Sequence, residues 1–308
     1  FKQKTAYEIG VRLVGSEMCI RDRSINHSED ANLSKEFFEK LSDKPFISFW
    51  EMAKQLPSLV KLKSYLTVSQ LVNSKLKNKY LRKAFSIHPL LVGGNPFTTT
   101  SIYALIHYLE RKWGVYFCMG GTGKIVKELE NLMVRQGIDI KKQSDVERIS
   151  ITNGKAENVV LTDGSKIEAD LVICNADPPT VYSEMLPSKY SRDSLLKPKK
   201  FTHYSMGLYV LFFGSKKKFS NVAHHTIWMS ERYKELLHDI FEKKILTDDF
   251  SLYLHRPTAT DETFAPEGCD SFYVLCPVPN LQGNVQWDSE GPKPVSYTHL
   301  TLPTNREV

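Results

Sequence analysis

The stretch that decides the fold is Gly114-Val-Tyr-Phe-Cys-Met-Gly-Gly-Thr-Gly-Lys-Ile-Val126. Its first residues are β-branched or aromatic, its glycines indicate a turn, and apolar residues then recur at helical spacing. The order strand, turn and helix is therefore predicted here. Further on, the apolar run Leu171 to Cys174 is closed by Asn175-Ala176-Asp177. Such a run is typical of a buried parallel strand that ends at a ligand crevice, so the sequence indicates a nucleotide-binding α/β half-domain.

Between these two stretches the sequence predicts a β-meander. Residues 138 to 140, 146 to 151 and 156 to 161 alternate or run apolar, as strands do. Asn153-Gly154 and Asp163-Gly164 supply the positive-φ residues that primed hairpin turns require. Cys174 is expected to be a small buried hydrophobic residue within the later strand.

The glycines at 120 to 123 do not match either common phosphate-binding motif. A Walker loop needs serine or threonine after Gly123-Lys124, and Ile125 follows instead. A dinucleotide fingerprint that starts at Gly121 needs glycine or alanine at position 126, where Val126 stands. This turn is therefore not the principal pyrophosphate-binding turn.

Composition restricts the classes of function. The chain has 308 residues, 41% of them hydrophobic, and a formal net charge of +6 without a concentrated basic block. It gives no reason to expect a nucleic-acid partner. No C-x-x-C pair occurs, and His88 and His107 show no ligand spacing along the chain, so no metal site is expected. The run Met206 to Phe213 is too short to span a bilayer.

The remaining patterns predict a helical cap and a second sheet. Residues 34 to 83 carry apolar residues at helical spacing beside many lysines, which indicates either core-facing helices or a patch at a membrane interface. Residues 98 to 112 and 230 to 244 are predicted helices. Residues 201 to 213, 251 to 254 and 271 to 276 are predicted strands.

Three separated motifs resemble the bacterial-type phytoene desaturases, which are FAD-dependent carotenoid desaturases. They are residues 84 to 123, Asn175-Ala-Asp-Pro178 and Tyr273-Val-Leu-Cys-Pro-Val-Pro279. The resemblance covers roughly residues 24 to 291. It implies an α/β fold with part of an FAD-binding Rossmann-like (amine-oxidase-like) domain and its β-meander at 113–185. A helical cap at 24–112 and a mixed sheet at 186–291 would form the substrate domain.

The two ends of the chain do not share this resemblance. Residues 1–23 and 292–308 resemble translated sequencing-adapter DNA, so they are expected to be non-native flanks. The resemblance places the principal pyrophosphate turn and its flavin-closing partner motif beyond the matched segment. We therefore expect that this chain alone does not retain FAD and is inactive.

The resemblance also implies site residues and chemistry. Val146 would meet the adenine ring of FAD through its backbone, and Asn175, Ala176 and Asp177 would face the dinucleotide. Residues 204 to 213 would line a tunnel for a hydrophobic polyene such as phytoene, although alternation does not tell which face meets the ligand. The expected reaction transfers an allylic hydride to the flavin with loss of a proton, and no residue can be named as the proton acceptor. The family has proline and a basic residue where Cys118 and Met119 stand, so no polar role is assigned there.

Other functions are left open by the same residues. A carotenoid isomerase or ketolase of the same flavoprotein superfamily would share the fold. A non-catalytic, membrane-associated lipid carrier would share the apolar cavity but not the flavin. The favoured interpretation is a cytoplasmic enzyme that is peripherally attached to a membrane surface, with the oligomeric state left open.

Overall fold

The computed structural model describes residues 56–57, 59–61, 63–191 and 203–290. The chain divides into two compact units, one formed by Phe1–Gly121 with Ser205–Val308 and the other by Thr122–Tyr204. We refer to them as the larger and the smaller unit. Both predicted flanks and most of the predicted helices between residues 34 and 55 lie outside the described residues.

Eight α-helices and seven strands are found in the described part of the chain. The helices are α1 Val68–Lys75, α2 Lys79–Ser86, α3 Leu105–Trp113, α4 Thr122–Arg135, α5 Pro178–Thr180, α6 Ser188–Ser191, α7 Tyr233–His238 and α8 Trp287–Glu290. The strands are β1 Val146–Thr152, β2 Lys155–Leu161, β3 Lys166–Glu168, β4 Gly207–Ser215, β5 His225–Trp228, β6 Leu252–His255 and β7 Asp270–Val278. Within these residues no helix is long and apolar enough to cross a bilayer.

Side-chain caps set the start of the first two helices. Thr67 and Gln70 form a reciprocal capping box at α1, which satisfies amide groups that have no partner inside the helix. Asn78 accepts hydrogen bonds from the first amides of α2. Val68, only 1% exposed, anchors α1 in the larger unit, and its amide donates to the carbonyl of Thr99. The cap region is therefore helical where it is described, as the sequence predicts.

The sheet of the larger unit has the order β4-β7-β6-β5, and each neighbouring pair is antiparallel. Along β7, buried and half-buried residues alternate through the whole strand. Its buried side contributes Cys276 and Val278 to a core cluster with Phe250. The predicted second sheet is thus present. Strand β5 was not predicted, because four residues are too few to show a clear alternation of apolar and polar side chains.

The smaller unit contains the predicted meander. β1, β2 and β3 pair in that order, all antiparallel. Asn153 and Gly154 both have positive φ, 51° and 79°, as a primed two-residue turn requires. Ile149 and Val160 are both buried, and because Ile149 pairs with Val159 and Val160 with Arg148, they lie on opposite sides of this sheet. The hairpin prediction from Asn-Gly is confirmed.

Some predicted strands are absent from the structure. Residues 115–118 and 138–140 have no strand hydrogen bonds, and neither do residues 171–174. Leu171 and Ile173 are 74% and 88% exposed, and Cys174 is exposed as well. A strand needs a neighbour for its backbone groups. Among the described residues no strand pairs with Leu171–Cys174, so this run does not form a strand.

A buried carboxylate joins several segments of the larger unit. Asp270, 1% exposed, opens β7. It accepts hydrogen bonds from the Thr258 hydroxyl (2.6 Å), the Phe219 amide (2.6 Å) and the Arg256 guanidinium (3.1 Å). Burial alone would raise the pKa of Asp270, but these donors outweigh it and hold the pKa below its usual value. The carboxylate is therefore charged at neutral pH. Its stabilising effect decreases once the pH falls below about 4, the ordinary pKa of an aspartate, and is lost as the pH passes through the lowered pKa of Asp270.

We expect Asp270→Asn to lower the free energy of unfolding by about 3–5 kcal/mol, because the Arg256 charge is then buried without a counter-charge. Urea unfolding of the purified variant measures this. Glu262→Gln is the control, since it breaks an exposed ion pair with Lys218 in the same unit. That change should cost less than about 1 kcal/mol. Equal costs for the two variants would contradict the assigned role of Asp270.

Candidate functional site

The larger sheet has one face that packs on the core and one that is open along β4, and the strand register identifies both. At the far end of the open face His255 is only 8% exposed. The residues on the open side, which we call the outer face, contain none of Asp, Glu, Lys or Arg. They are Leu208, Val210, Phe212 and Gly214 of β4, Ser271, Tyr273, Leu275 and Pro277 of β7, Tyr253 and His255 of β6, and His225 and Ile227 of β5.

The exposure of β4 shows which of its side chains are available to a ligand. Leu208, Val210 and Phe212 are 49%, 41% and 74% exposed, whereas Tyr209 packs against the core cluster. Contiguous exposed apolar surface of this kind is typical of a binding site. The sequence left open which face of this strand meets a ligand. The structure favours the face that carries Leu208, Val210 and Phe212.

Aromatic rings cross the outer face from strand to strand. His225 pairs with His255 across β5 and β6, and their rings stack with centroids 5.2 Å apart. His255 pairs with Tyr273 across β6 and β7, with ring centroids at 4.5 Å. Phe212 continues the row on β4, 5.6 Å from Tyr273. Cross-strand pairing therefore builds a continuous aromatic surface that ends at two imidazoles.

A third histidine completes a cluster at that end. The Nε2 atoms of His224 and His255 lie 2.7 Å apart, so one of them donates a hydrogen bond to the other. The other ring nitrogen of His224 contacts the hydroxyl of Thr260. Nδ1 of His225 lies 2.5 Å from the hydroxyl of Tyr253. We call His224, His225 and His255 the histidine cluster.

Burial is the main cause that disfavours protonation of this cluster, and neighbouring groups add to it at His224 and His255. Burial, followed by the nearby His225 and Arg256, lowers the pKa of His224 to about 4. Burial, followed by the other two histidines, lowers the pKa of His255 to about 4. These two imidazoles are thus neutral at physiological pH, and each carries a lone pair on one ring nitrogen. The cluster was not predicted from the sequence, because only the pairing of β5 with β6 brings His255 beside His224 and His225.

His88 and His107, which show no ligand spacing along the chain, lie beside each other with ring centroids 3.8 Å apart. Nε2 of His88 contacts both carboxylate oxygens of Glu110, at 3.2 and 3.1 Å, and Nε2 of His107 contacts the carbonyl of Phe85 at 3.0 Å. Burial would raise the pKa of Glu110, but the hydrogen bond and charge of His88 outweigh it and lower that pKa. These contacts explain both histidines as structural partners.

The turn at Gly120 and Gly121 has the positive φ values, 83° and 81°, that favour glycine. Its amide is not available to a phosphate, however. The Gly120 N–H donates to a carboxylate oxygen of Asp261 at 2.7 Å, and a second anion there would be repelled. A Cβ on Gly121 would approach the ring of Phe264 to 2.9 Å. The turn therefore packs against its own unit, in agreement with the failed motif match.

The residues expected to contact FAD all lie in the smaller unit. Val146 begins β1, an edge strand of the meander, and is 37% exposed. Asn175, Ala176 and Asp177 are exposed and precede α5, where the Asp177 side chain makes no capping hydrogen bond. Exposed polar groups and an open strand edge fit partial contacts with a dinucleotide. The assignment of these four residues to FAD remains a prediction.

Comparison with known proteins identifies a family. Residues 30–247 match the flavin-containing amine oxidoreductases. A solved oxidoreductase from Methanosarcina mazei has a similar fold, with a TM-score of 0.59 at 17% identity, over 84% of this chain and 59% of that one. At that identity the likeness concerns the fold alone.

Two curated relatives are more similar in sequence. A lycopene-forming phytoene desaturase of Pseudescherichia vulneris is 44% identical over 264 residues, which are 84% of this chain and 53% of the relative. A neurosporene-forming phytoene desaturase of Rhodobacter capsulatus is 39% identical over 274 residues, or 86% of this chain and 52% of the relative. The chain thus spans about half the length of the curated relatives it matches.

If the outer face is a ligand surface and not part of the core, truncation there should cost little stability. We expect Phe212→Ala to lower the free energy of unfolding by less than about 1 kcal/mol. Phe272→Ala, on the opposite face of the same sheet and only 3% exposed, should cost about 3–5 kcal/mol. Chemical denaturation compares the two variants. A similar cost for both would show that Phe212 is packed in the core.

Proposed function

This chain belongs to the flavin-containing amine oxidoreductase family, and from that premise we propose that it acts in the FAD-dependent desaturation of a carotenoid precursor such as phytoene. The observation that carries the proposal is the outer face, an open apolar and aromatic surface without a charged side chain. A hydrocarbon offers no polar group for recognition. Its affinity must come from apolar burial, about 0.8 kcal/mol per methylene group.

The outer face is suited to hold an extended polyene. β4 and β7 pair over nine residues each, so Leu208, Val210 and Phe212 form a row along the strand direction. Such a row buries successive methylene and methyl groups and fixes the position of the chain along the sheet. Shape and length would then set specificity, since the described residues of this face offer no ion pair to a substrate.

The cofactor of this reaction would be FAD, which accepts the hydride removed from an allylic carbon. The residues proposed to contact it are Val146, Asn175, Ala176 and Asp177. They fit a partial contact because they present a strand edge and exposed polar groups. The glycine turn near residue 120 is not proposed to bind FAD, because Asp261 already occupies its amide. The contribution of the larger unit is to bind and orient the polyene and to exclude water from it.

A chimera tests this function. Residues 24–291 would replace the matched segment of the Pseudescherichia vulneris desaturase, and the product would be expressed in cells that accumulate phytoene. We expect coloured carotenoids with additional conjugated double bonds, identified by chromatography and absorption. Phe212→Asp should lower conversion on the order of tenfold or more, because a charge is then buried against hydrocarbon. Phe212→Leu keeps the apolar surface and should preserve activity.

The products also separate the alternatives. Oxygenated carotenoids would indicate a ketolase, and altered double-bond geometry without new double bonds would indicate an isomerase. A soluble chimera that binds phytoene and leaves it unchanged would indicate a carrier. A soluble, flavin-containing chimera that is inactive towards phytoene would contradict the proposal.

We also propose that the protein attaches peripherally to an anionic membrane surface, where a hydrophobic substrate would be found. The stretch 56–83 supports this. Tyr65 and Tyr80 are 69% and 65% exposed, and exposed lysines lie close to them in sequence. Exposed aromatic rings beside cationic side chains suit the boundary between headgroups and acyl chains.

Sedimentation with vesicles tests the attachment. We expect the purified chain to bind anionic vesicles more strongly than neutral ones, and less strongly as the salt concentration rises. The double change Tyr65→Ser and Tyr80→Ser should weaken binding. Tyr116→Ser, which removes another ring that is 78% exposed, should not. Equal binding to neutral and anionic vesicles would contradict the electrostatic contribution.

A further inference from the structure

We propose that His224, His225 and His255 form a binding site for one divalent transition-metal ion of the zinc type. This inference rests on the geometry of the histidine cluster and stands apart from the proposed desaturase activity. Neither the family match nor the names of the relatives assign a metal to these residues.

The spacing of the ring nitrogens is close to that of a three-histidine site. One nitrogen from each ring lies within 4.8 Å of the others, and the Nε2 atoms of His224 and His255 are 2.7 Å apart. Zinc–nitrogen bonds of 2.0–2.1 Å in tetrahedral geometry place the nitrogens about 3.3 Å apart. The 2.7 Å separation is shorter than this value, and the other two separations are at most 4.8 Å. Small rotations of the imidazole rings would therefore complete the site.

The backbone holds two of the ligands on a rigid support. His225 and His255 are direct partners in the antiparallel pairing of β5 and β6, and their rings are nearly parallel, at 10°. His224 immediately precedes β5, and its carbonyl accepts a hydrogen bond from the Arg256 amide, next to His255. Two of the ligands thus lie on adjacent strands that are fixed by the ladder, and the third directly precedes one of these strands. Ligands on strands are placed more accurately than ligands on loops.

In two of the three histidines, the ring nitrogen that would not bind the metal faces a hydroxyl group. Nδ1 of His225 faces the Tyr253 hydroxyl, and Nδ1 of His224 faces the Thr260 hydroxyl. When each Nδ1–H donates to its hydroxyl oxygen, the opposite nitrogen keeps its lone pair for the metal. Such outer hydrogen bonds fix the tautomer and the ring orientation of ligating histidines.

The chemistry of the ligands favours a particular class of metal. Three imidazole nitrogens without a carboxylate suit zinc, cobalt, nickel or copper and disfavour magnesium and calcium, which prefer oxygen. The nearby guanidinium of Arg256 is paired with Asp270 at 3.1 Å, which offsets its repulsion of a cation. Three protein ligands leave a coordination position for water, as in zinc sites that bind an exchangeable ligand.

A second group, formed by His88, His107 and Glu110, provides an internal control. Its ligand atoms also lie within 4.8 Å of one another. There, however, Nε2 of His107 contacts the main-chain carbonyl of Phe85, which is not one of the three ligands. In the histidine cluster the contact between Nε2 atoms joins two of the ligands themselves. We therefore assign the metal to the histidine cluster and not to this group.

Cobalt(II) titration of the metal-free 308-residue chain tests the proposal. We expect about one equivalent to bind with the intense visible absorption of four-coordinate cobalt, and zinc to displace it. His255→Gln should weaken binding by about 100-fold or more, and Tyr253→Phe by about tenfold, because the latter removes an outer hydrogen bond and leaves all three ligands in place. His107→Gln should leave the affinity unchanged. Circular dichroism verifies that each variant is folded.

X-ray absorption of the unmodified chain loaded with zinc gives a second test that needs no variant. We expect a first shell of nitrogen and oxygen near 2.0–2.1 Å with imidazole scattering. Sulfur scattering would show that zinc prefers the free cysteines and would overturn the proposal. So would a loss of binding in His107→Gln, or an affinity of the unmodified chain no higher than that of His255→Gln.

Discussion

The buried carboxylate of Asp270 connects the start of β7 with two other segments of the larger unit, one after β4 and one after β6. It binds the amide of Phe219, which follows β4, the hydroxyl of Thr258 and the guanidinium of Arg256, which follows β6. An unpaired charge at 1% exposure would be very costly, so all three donors must be in place for the sheet to close. The same condition fixes the end of β6, and with it the position of His255 at one end of the outer face.

β7 carries two different roles on its two sides. Phe272, Val274 and Cys276 are buried with at most 3% exposure and stabilise the fold. Tyr273 and Leu275, between them, belong to the outer face. Because alternate side chains of a strand point to opposite faces, stability and ligand contact can be varied separately on one strand. The aromatic row depends on this strand most, since β7 pairs with both β4 and β6.

The sequence predicts the local features of this protein well and the long-range ones poorly. Asn153-Gly154 was enough to locate a hairpin, and helical periodicity was enough to locate α4. The prediction of a strand at Leu171–Cys174 was wrong. Apolar composition indicates that a run can be buried in a sheet, but it does not show that a partner strand is present. The histidine cluster could not be predicted, since His225 and His255 are brought together only by a pairing across 30 positions. The assignments of Val146 and of Asn175 to Asp177 to FAD came from resemblance and stay predictions.

The exposure of Leu171 to Cys174 has a consequence for the behaviour of the chain in concentrated solution. Four consecutive apolar residues lie there, and within the described residues no strand pairs with their backbone groups. Such a segment is a template on which a strand of another molecule can add, and its β-branched Val172 and Ile173 favour that conformation. Self-association through this edge would increase with protein concentration and would end in aggregation. A lysine at position 173 would oppose it by placing a charge on the edge, at little cost to a side chain that is already 88% exposed.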